Sequence, residues 1–152
     1  MQLDRIDHAI IRELQADGRL SNIELAERVG LSPSACLRRV KLIEESGLVA
    51  GYVMLMNAAS AGFPGTAFVQ ITLDKQNREA LDQFERAVDR LPDVLACYLL
   101  AGQADYLLHI VYKDSTDLER IHAECLTSLP GVIRIQSTLT LRTVKHVTAL
   151  PF

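Results

Sequence analysis

Between Ser21 and Glu45 the chain reads SNIELAERVGLSPSACLRRVKLIEE, and one glycine divides two segments that each carry a helix-start signal. Ser21 is an N-cap residue and Glu24 follows three positions later, which makes a capping box. Leu25, Ala26 and Val29 fall on one face of the helix that follows. Gly30 ends that helix, because a left-handed backbone costs glycine almost nothing. Ser32 caps a second helix, and Pro33 sits in its first turn, where a missing N–H is harmless. Cys36, Val40 and Ile43 form the inner stripe of this helix. Two helices joined by a three- or four-residue turn containing glycine make the helix-turn-helix plan, whose second helix enters the DNA major groove.

The outer face of the second helix follows from its angular period. At about 100° per residue, Ser34, Arg38, Lys41 and Glu45 lie opposite the inner stripe, with Ala35 and Leu42 beside them. Arg28, Arg38, Arg39 and Lys41 fall between Arg28 and Ile43, and no acidic residue does. A hydroxyl, a guanidinium and an ammonium on one exposed helix face suit phosphates and base edges. The same pattern also fits a solvated face of an ordinary helical hairpin. Arg39 lies only about 60° from the core stripe, which favours an ion pair or a phosphate contact over base reading. Ser32, Ser34, Ala35, Arg38, Arg39 and Lys41 are the candidate DNA-contacting residues.

Whole-chain charge gives this reading no help. The net charge of the 152 residues is −3. Residues 1–52 carry seven basic and eight acidic side chains, a net of −1. Many DNA-binding domains are basic overall, so binding here must rest on a local face, reinforced by pairing two such faces in a dimer.

A first helix precedes the motif over residues 4–17, with Ile6, Ala9, Ile10 and Leu14 at helical spacing and Asp17-Gly18 as its stop. Gly47 ends the recognition helix. Val49 to Met56 reads as extended chain that would add a small wing or a connecting strand, and Asn57 to Gly65 is turn-rich. From Thr66 the period changes to two, as Val69, Ile71 and Leu73 alternate with Gln70 and Thr72. Leu81, Phe84, Val88 and Leu91 mark a helix, and Val94–Ala101 and Tyr106–Tyr112 read as strands. Leu118, Ile121, Cys125 and Leu129 mark another helix. Val132 to His146 reads as one long final strand with Ile133, Ile135, Leu139 and Leu141 on one face.

Leu91-Pro92-Asp93-Val94 and Leu129-Pro130-Gly131-Val132 occupy equivalent places in two β-α-β halves. Two such halves give a ferredoxin-like β-α-β-β-α-β sheet with both helices on one face. The chain is therefore α+β, with a winged-helix-like helix-turn-helix domain at 1–52, a linker strand and hinge at 53–65, and a ferredoxin-like domain at 66–152. The uncovered sheet face would carry Gln70, Thr72, Gln136, Thr138 and Thr140. It suits either water or a second copy of the domain.

Three cysteines, Cys36, Cys97 and Cys125, are widely spaced and read as small core residues of a cytoplasmic protein. No CxxC occurs and the four histidines are scattered, so neither a metal site nor a cofactor is expected. No secretion signal and no membrane-spanning apolar run is recognised. No nucleophile context or phosphate loop points to catalysis. The loop Ala101-Gly102-Gln103-Ala104-Asp105-Tyr106 joins two strands, and by itself Asp105 reads as a turn cap.

One resemblance covers the chain. The residues Leu3-Asp4-Arg5-Ile6-Asp7, Leu14-Gln15, Asp17-Gly18-Arg19, Glu24-Leu25-Ala26, Val29-Gly30-Leu31-Ser32-Pro33, Arg39-Val40, Glu44, Gly47 and Gly51-Tyr52 resemble the N-terminal domain of the Lrp/AsnC transcription regulators. The 101–106 loop is similar to the Gly-x-x-Asp-Tyr loop that lines the amino-acid effector site of that family. The resemblance implies a sequence-specific DNA-binding regulator that responds to a small amino acid, dimerises through its sheets and assembles to an octamer. It implies that Asp105 pairs with an α-ammonium group and that amides near Gly102 take the carboxylate, with Leu99, Ser115, Thr138 and Thr140 as further wall residues. Siroheme decarboxylases share this two-domain plan and are the enzyme alternative. An effector-independent DNA-organising protein is the other.

Overall fold

The computed structural model describes residues 2–152, which form two compact units. One runs to Leu55 and also takes in Val144–Phe152; the other is Met56–Thr143. The chain therefore crosses between them twice.

The first unit holds α1 (Arg5–Ala16), α2 (Asn22–Val29) and α3 (Pro33–Glu45). Each helix starts on a side-chain cap. Asp4 accepts from the Ile6 and Asp7 amides, with a reciprocal bond from Asp4 N to Asp7. Ser21 and Glu24 close the expected box, and Ser32 accepts from Ala35 N. Gly30 turns the chain out of α2 at φ 71°, a backbone that a side-chain-bearing residue adopts only at a cost. Ile10, Ile11, Leu25, Ala26, Cys36 and Ile43 make the core.

Val49 to Met56 forms no strand within the chain, contrary to the expected wing or connecting strand. Its amides and carbonyls meet no neighbouring strand here, and Val53, Met54, Leu55 and Met56 are exposed. Tyr52 is the exception to this looseness. Its hydroxyl donates to Glu44 at 2.9 Å. The residue as a whole is exposed, but partial desolvation of the phenol together with that carboxylate pushes its pKa up to about 12.

The second unit is an antiparallel sheet of β1 (Gly65–Leu73), β2 (Val94–Leu99), β3 (Tyr106–Tyr112) and β4 (Val132–Leu139), in the order β2-β3-β1-β4. With α4 (Arg78–Val88) and α5 (Ser115–Arg120) this is the β-α-β-β-α-β order. Ala67, Val69, Ile71 and Leu73 of β1 are buried, as their period of two requires. Tyr106, Leu108 and Ile110 continue the layer on β3, and Phe84, Val88, Ile121, Leu126 and Leu129 cover it. The Leu-Pro echo is real in three dimensions: Val94 N donates to Leu91 O and Val132 N to Leu129 O.

Three expectations for the second half need correction. The last strand stops at Leu139 rather than His146, because its partner β1 begins at Gly65 and the final rung is Thr140 N to Thr66 O. Ile133 also leaves the face assigned to it. A register shift between Thr72 and Leu73 pairs Leu73 with Val132 and Thr72 with Arg134. Val132 and Ile135 therefore face the helices, while Ile133 is exposed. The helix after β3 also changes type: α5 passes into a π-helical stretch, Ile121–Leu126. Its wider turn buries Ile121 and Leu126, five residues apart, rather than the i, i+4 pair with Cys125.

Candidate nucleic-acid interface and ligand loop

Helix α3 owes its pose to a few polar ties. The Asn22 amide, on the first turn of α2, donates to Pro33 O at 2.8 Å. This holds the two helix starts together across the turn. Arg39 reaches back to α1, with Nη1 2.8 Å from Asp4 Oδ2 and 2.7 Å from Asp7 Oδ1. Both carboxylates raise the guanidinium pKa, Asp7 most. On α2, Arg28 is likewise paired, 2.9 Å from Glu13 of α1. Two of the four cations in the acid-free stretch are thus neutralised by acids that lie outside it.

The remaining two, Arg38 and Lys41, are exposed and make no hydrogen bond or ion pair among the described residues. Ser34 is also exposed, its hydroxyl 3.3 Å from that of Ser32. Ala35 is half-buried behind them. What stands free at the start and middle of α3 is a short hydroxyl pair followed by two cations one turn apart. Asn22 went unnoticed in the sequence reading, and its only signal there was an amide residue in the first turn of α2.

In the second unit, Asp105 is 9% exposed and ties its loop to β1. Its Oδ2 accepts from Leu73 N at 2.7 Å, its own N–H donates to Ile71 O, and its carbonyl accepts from Leu100 N. The expected local turn cap is therefore a cross-strand clamp, with Oδ1 left without a partner among the described residues. Gly102 is exposed with open space around it, and Leu99 is exposed beside the loop. A depression of about 50 Å³ lies between Gln103 and Ala104 of the loop and Gln70, Thr72, Arg134 and Gln136 of the sheet.

The other wall candidates do not join them within one chain. Thr140 pairs with Thr66 at the opposite end of β1 from Ile71 and Leu73, and Thr138 pairs with Phe68 near the middle of that strand. Ser115 follows the far end of β3. The length of β3 puts roughly 20 Å between Asp105 and Ser115. On the open sheet face between them Phe68 stacks on His109, ring centroids 5.0 Å apart. His8 belongs to the first unit, and no group of three or more His, Cys, Asp or Glu suited to a metal ion occurs among the described residues.

Comparison with known proteins settles the family. Residues 3–50 match the winged helix-turn-helix DNA-binding model, and residues 66–150 match the Lrp/AsnC ligand binding domain. The chain belongs to the Lrp/AsnC family. It is 40% identical to the leucine-responsive regulatory protein of Escherichia coli over 144 residues, 95% of this chain and 88% of that one. A Neisseria meningitidis transcriptional regulator crystallised with L-Met superposes with a TM-score of 0.94 at 39% identity, covering 99% of this chain and 97% of the other. An AsnC family transcriptional regulator from Agrobacterium tumefaciens gives 0.93 at 31%, covering 98% and 97%. The Lrp/AsnC chain described here is a DNA-binding transcription regulator with a helix-turn-helix unit and a ligand-binding unit. None of its helices, among the described residues, is long and apolar enough to cross a membrane.

Proposed function

We propose that α3 of this regulator reads duplex DNA through Ser32, Ser34, Ala35, Arg38 and Lys41. Arg39 holds the helix in place beside Asp4 and Asp7 and offers phosphate contact at its rim. The observation that carries this is the division of the cations: Arg28 and Arg39 are spent on α1, while Arg38 and Lys41 are exposed and unpaired. A pair of unneutralised cations on one helix face provides the local charge that the acidic chain otherwise lacks.

The ligand is an amino acid held at the 101–105 loop. Asp105 Oδ1 would take the α-ammonium group as a charge-assisted bond, and the amides near Gly102, with Arg134, would take the carboxylate. The depression of about 50 Å³ is far smaller than an ordinary ligand pocket of about 300 Å³ or more. The loop is therefore one wall of a site that a second copy completes. In that assembly Ser115, Thr138 and Thr140 come from the neighbouring chain's opposite sheet end. A homodimer joined at the open sheet face and multiplied to an octamer supplies such a neighbour. The protein acts in the cytoplasm and is not an enzyme, a reading supported by relatives that are transcription regulators.

The test is selection of duplex sites from a random-sequence library, with and without each of the twenty amino acids, with light scattering on the same samples. One enriched sequence, a change in its affinity with a particular amino acid and an even-numbered assembly are expected. Enrichment of no sequence would remove the DNA assignment. A monomer at micromolar concentration would remove the shared ligand site.

A further inference from the structure

Residues 144–152 follow the last strand of the ligand-binding unit, yet they pack in the helix-turn-helix unit. Gln15, at the end of α1, grips them by their backbone. Its Nε2 donates to Leu150 O at 3.2 Å and its Oε1 accepts from Leu150 N at 2.6 Å. One side-chain amide thus satisfies both backbone groups of a residue 135 positions away, as a strand neighbour would. Phe152 N also donates to Leu150 O at 2.9 Å. This is a three-residue turn centred on Pro151, whose ring presets the φ that such a turn needs. The turn carries Phe152 inward. Its ring packs on the helix-turn-helix core and meets His8 of α1 edge-on at 5.8 Å.

The helices on the other side of this strap are the ones that matter for DNA. Ile11 of α1, Val40 and Ile43 of α3, and Leu48 just beyond α3 line a mostly apolar cavity of about 320 Å³, with Leu150 and Phe152 forming part of its wall. Beyond the core they share through Ile10, Ile11, Cys36 and Ile43, the recognition helix and α1 thus have two further links. One is the Arg39 ion pair near the start of α1, and the other is the strap near its end. We propose that Val144–Phe152 is a positioning segment of the DNA-binding unit, a strap that fixes α1 and α3 relative to one another and so sets the pose of the recognition face. Since the strap leaves β4 through Thr140–Thr143, each helix-turn-helix unit is held by two covalent tethers, and the ligand-binding unit can pull on it through either.

The proposal rests on the DNA reading above, and its test separates the two. In the full chain, Phe152→Ser and Gln15→Ala, singly and together, are compared with the parent and with Phe152→Leu. The measurements are amide hydrogen exchange, light scattering and affinity for the duplex the parent selects from a random library. For Phe152→Ser and the double variant we expect exchange of the Ile10, Ile11, Val40 and Ile43 amides to quicken about tenfold, and DNA affinity to fall about fivefold or more. Exchange in β1 and β3 and the assembly state should stay as in the parent. Phe152→Leu keeps an apolar anchor and restores both values. Unchanged exchange in α1 and α3 would overturn the proposal, as would faster exchange with parental DNA affinity, or a lost affinity explained by a changed assembly. If the parent itself selects no duplex, the DNA reading fails, and the exchange measurement alone decides whether the strap fixes the two helices.

Discussion

The Arg39 guanidinium on α3 stands 2.7 Å from Asp7 Oδ1 on α1, and Asp7 is itself 7% exposed. This pair crosses from the recognition helix to the first helix. It answers the ambiguity that helical angle alone left at Arg39. A near-buried carboxylate that loses its cation is left uncompensated, which is where single substitutions become damaging. Arg39→Ala should therefore lower the melting temperature of the helix-turn-helix unit and weaken DNA binding as a consequence. Arg38→Ala, one residue away, should leave the melting curve unchanged. Calorimetry on both variants checks the contrast.

Arg38 and Lys41 separate by what each would touch. Arg38→Ala should weaken binding to the selected duplex by about 1–3 kcal/mol and relax the preference at one base position. Lys41→Ala should weaken all sequences alike and reduce the slope of log affinity against log salt by about one. Titrations at several salt concentrations resolve the two. Parental binding by both variants would mean that α3 does not face DNA with this side.

How much of this was legible beforehand depends on the range of the interaction. The caps at Ser21 and Ser32 and the stop at Gly30 are local, so a few neighbouring positions sufficed to place each. The order of the second unit followed from its periods. What the sequence hid is long-range. The acids that neutralise Arg28 and Arg39 lie outside the stretch whose lack of acids suggested a basic face. The shift between Thr72 and Leu73 that turns Ile133 out of the core is a property of strand pairing, invisible in β4 alone. Gln15 and Leu150 are 135 positions apart, and no local pattern connects them. The π-helical stretch at Ile121–Leu126 keeps the same apolar residues as an α-helix and changes only which of them are buried.

Acid should loosen the ligand-binding unit at a recognisable point. Asp117 accepts from Lys113 N at 3.0 Å and from Arg120 Nε and Nη2. The Lys113 amide, followed by Arg120, holds its pKa below the ordinary carboxylate value of 3.8. The folded pKa lies below the unfolded one, so this contribution is fully present above the unfolded value. It is lost as pH falls through the folded one. Melting temperature should therefore be flat near neutrality and drop below about pH 4. Asp117→Asn should start lower and show a shallower acid slope. An identical slope in parent and variant would assign the acid sensitivity to other carboxylates.

Asp105 divides a structural role from a ligand role within one side chain. Oδ2 holds the Leu73 amide at 2.7 Å, and Oδ1 is the oxygen proposed for the α-ammonium group. Asp105→Ala leaves the Leu73 N–H without its partner in a nearly buried place, which costs about 1–3 kcal/mol, so the second unit should melt earlier. Asp105→Asn keeps a carbonyl oxygen for Leu73 N and removes the charge, and a charge-assisted bond is worth about 1.5–3 kcal/mol. This variant should melt close to the parent and bind DNA as the parent does, while the amino-acid concentration for half-maximal response rises about tenfold or more. The measurement is a DNA-binding titration across amino-acid concentration with a melting curve beside it. A stable Asp105→Asn protein with the parent's half-maximal concentration would confine Asp105 to the clamp on β1. The ammonium would then have to be sought at the sheet end that carries Thr138 and Thr140.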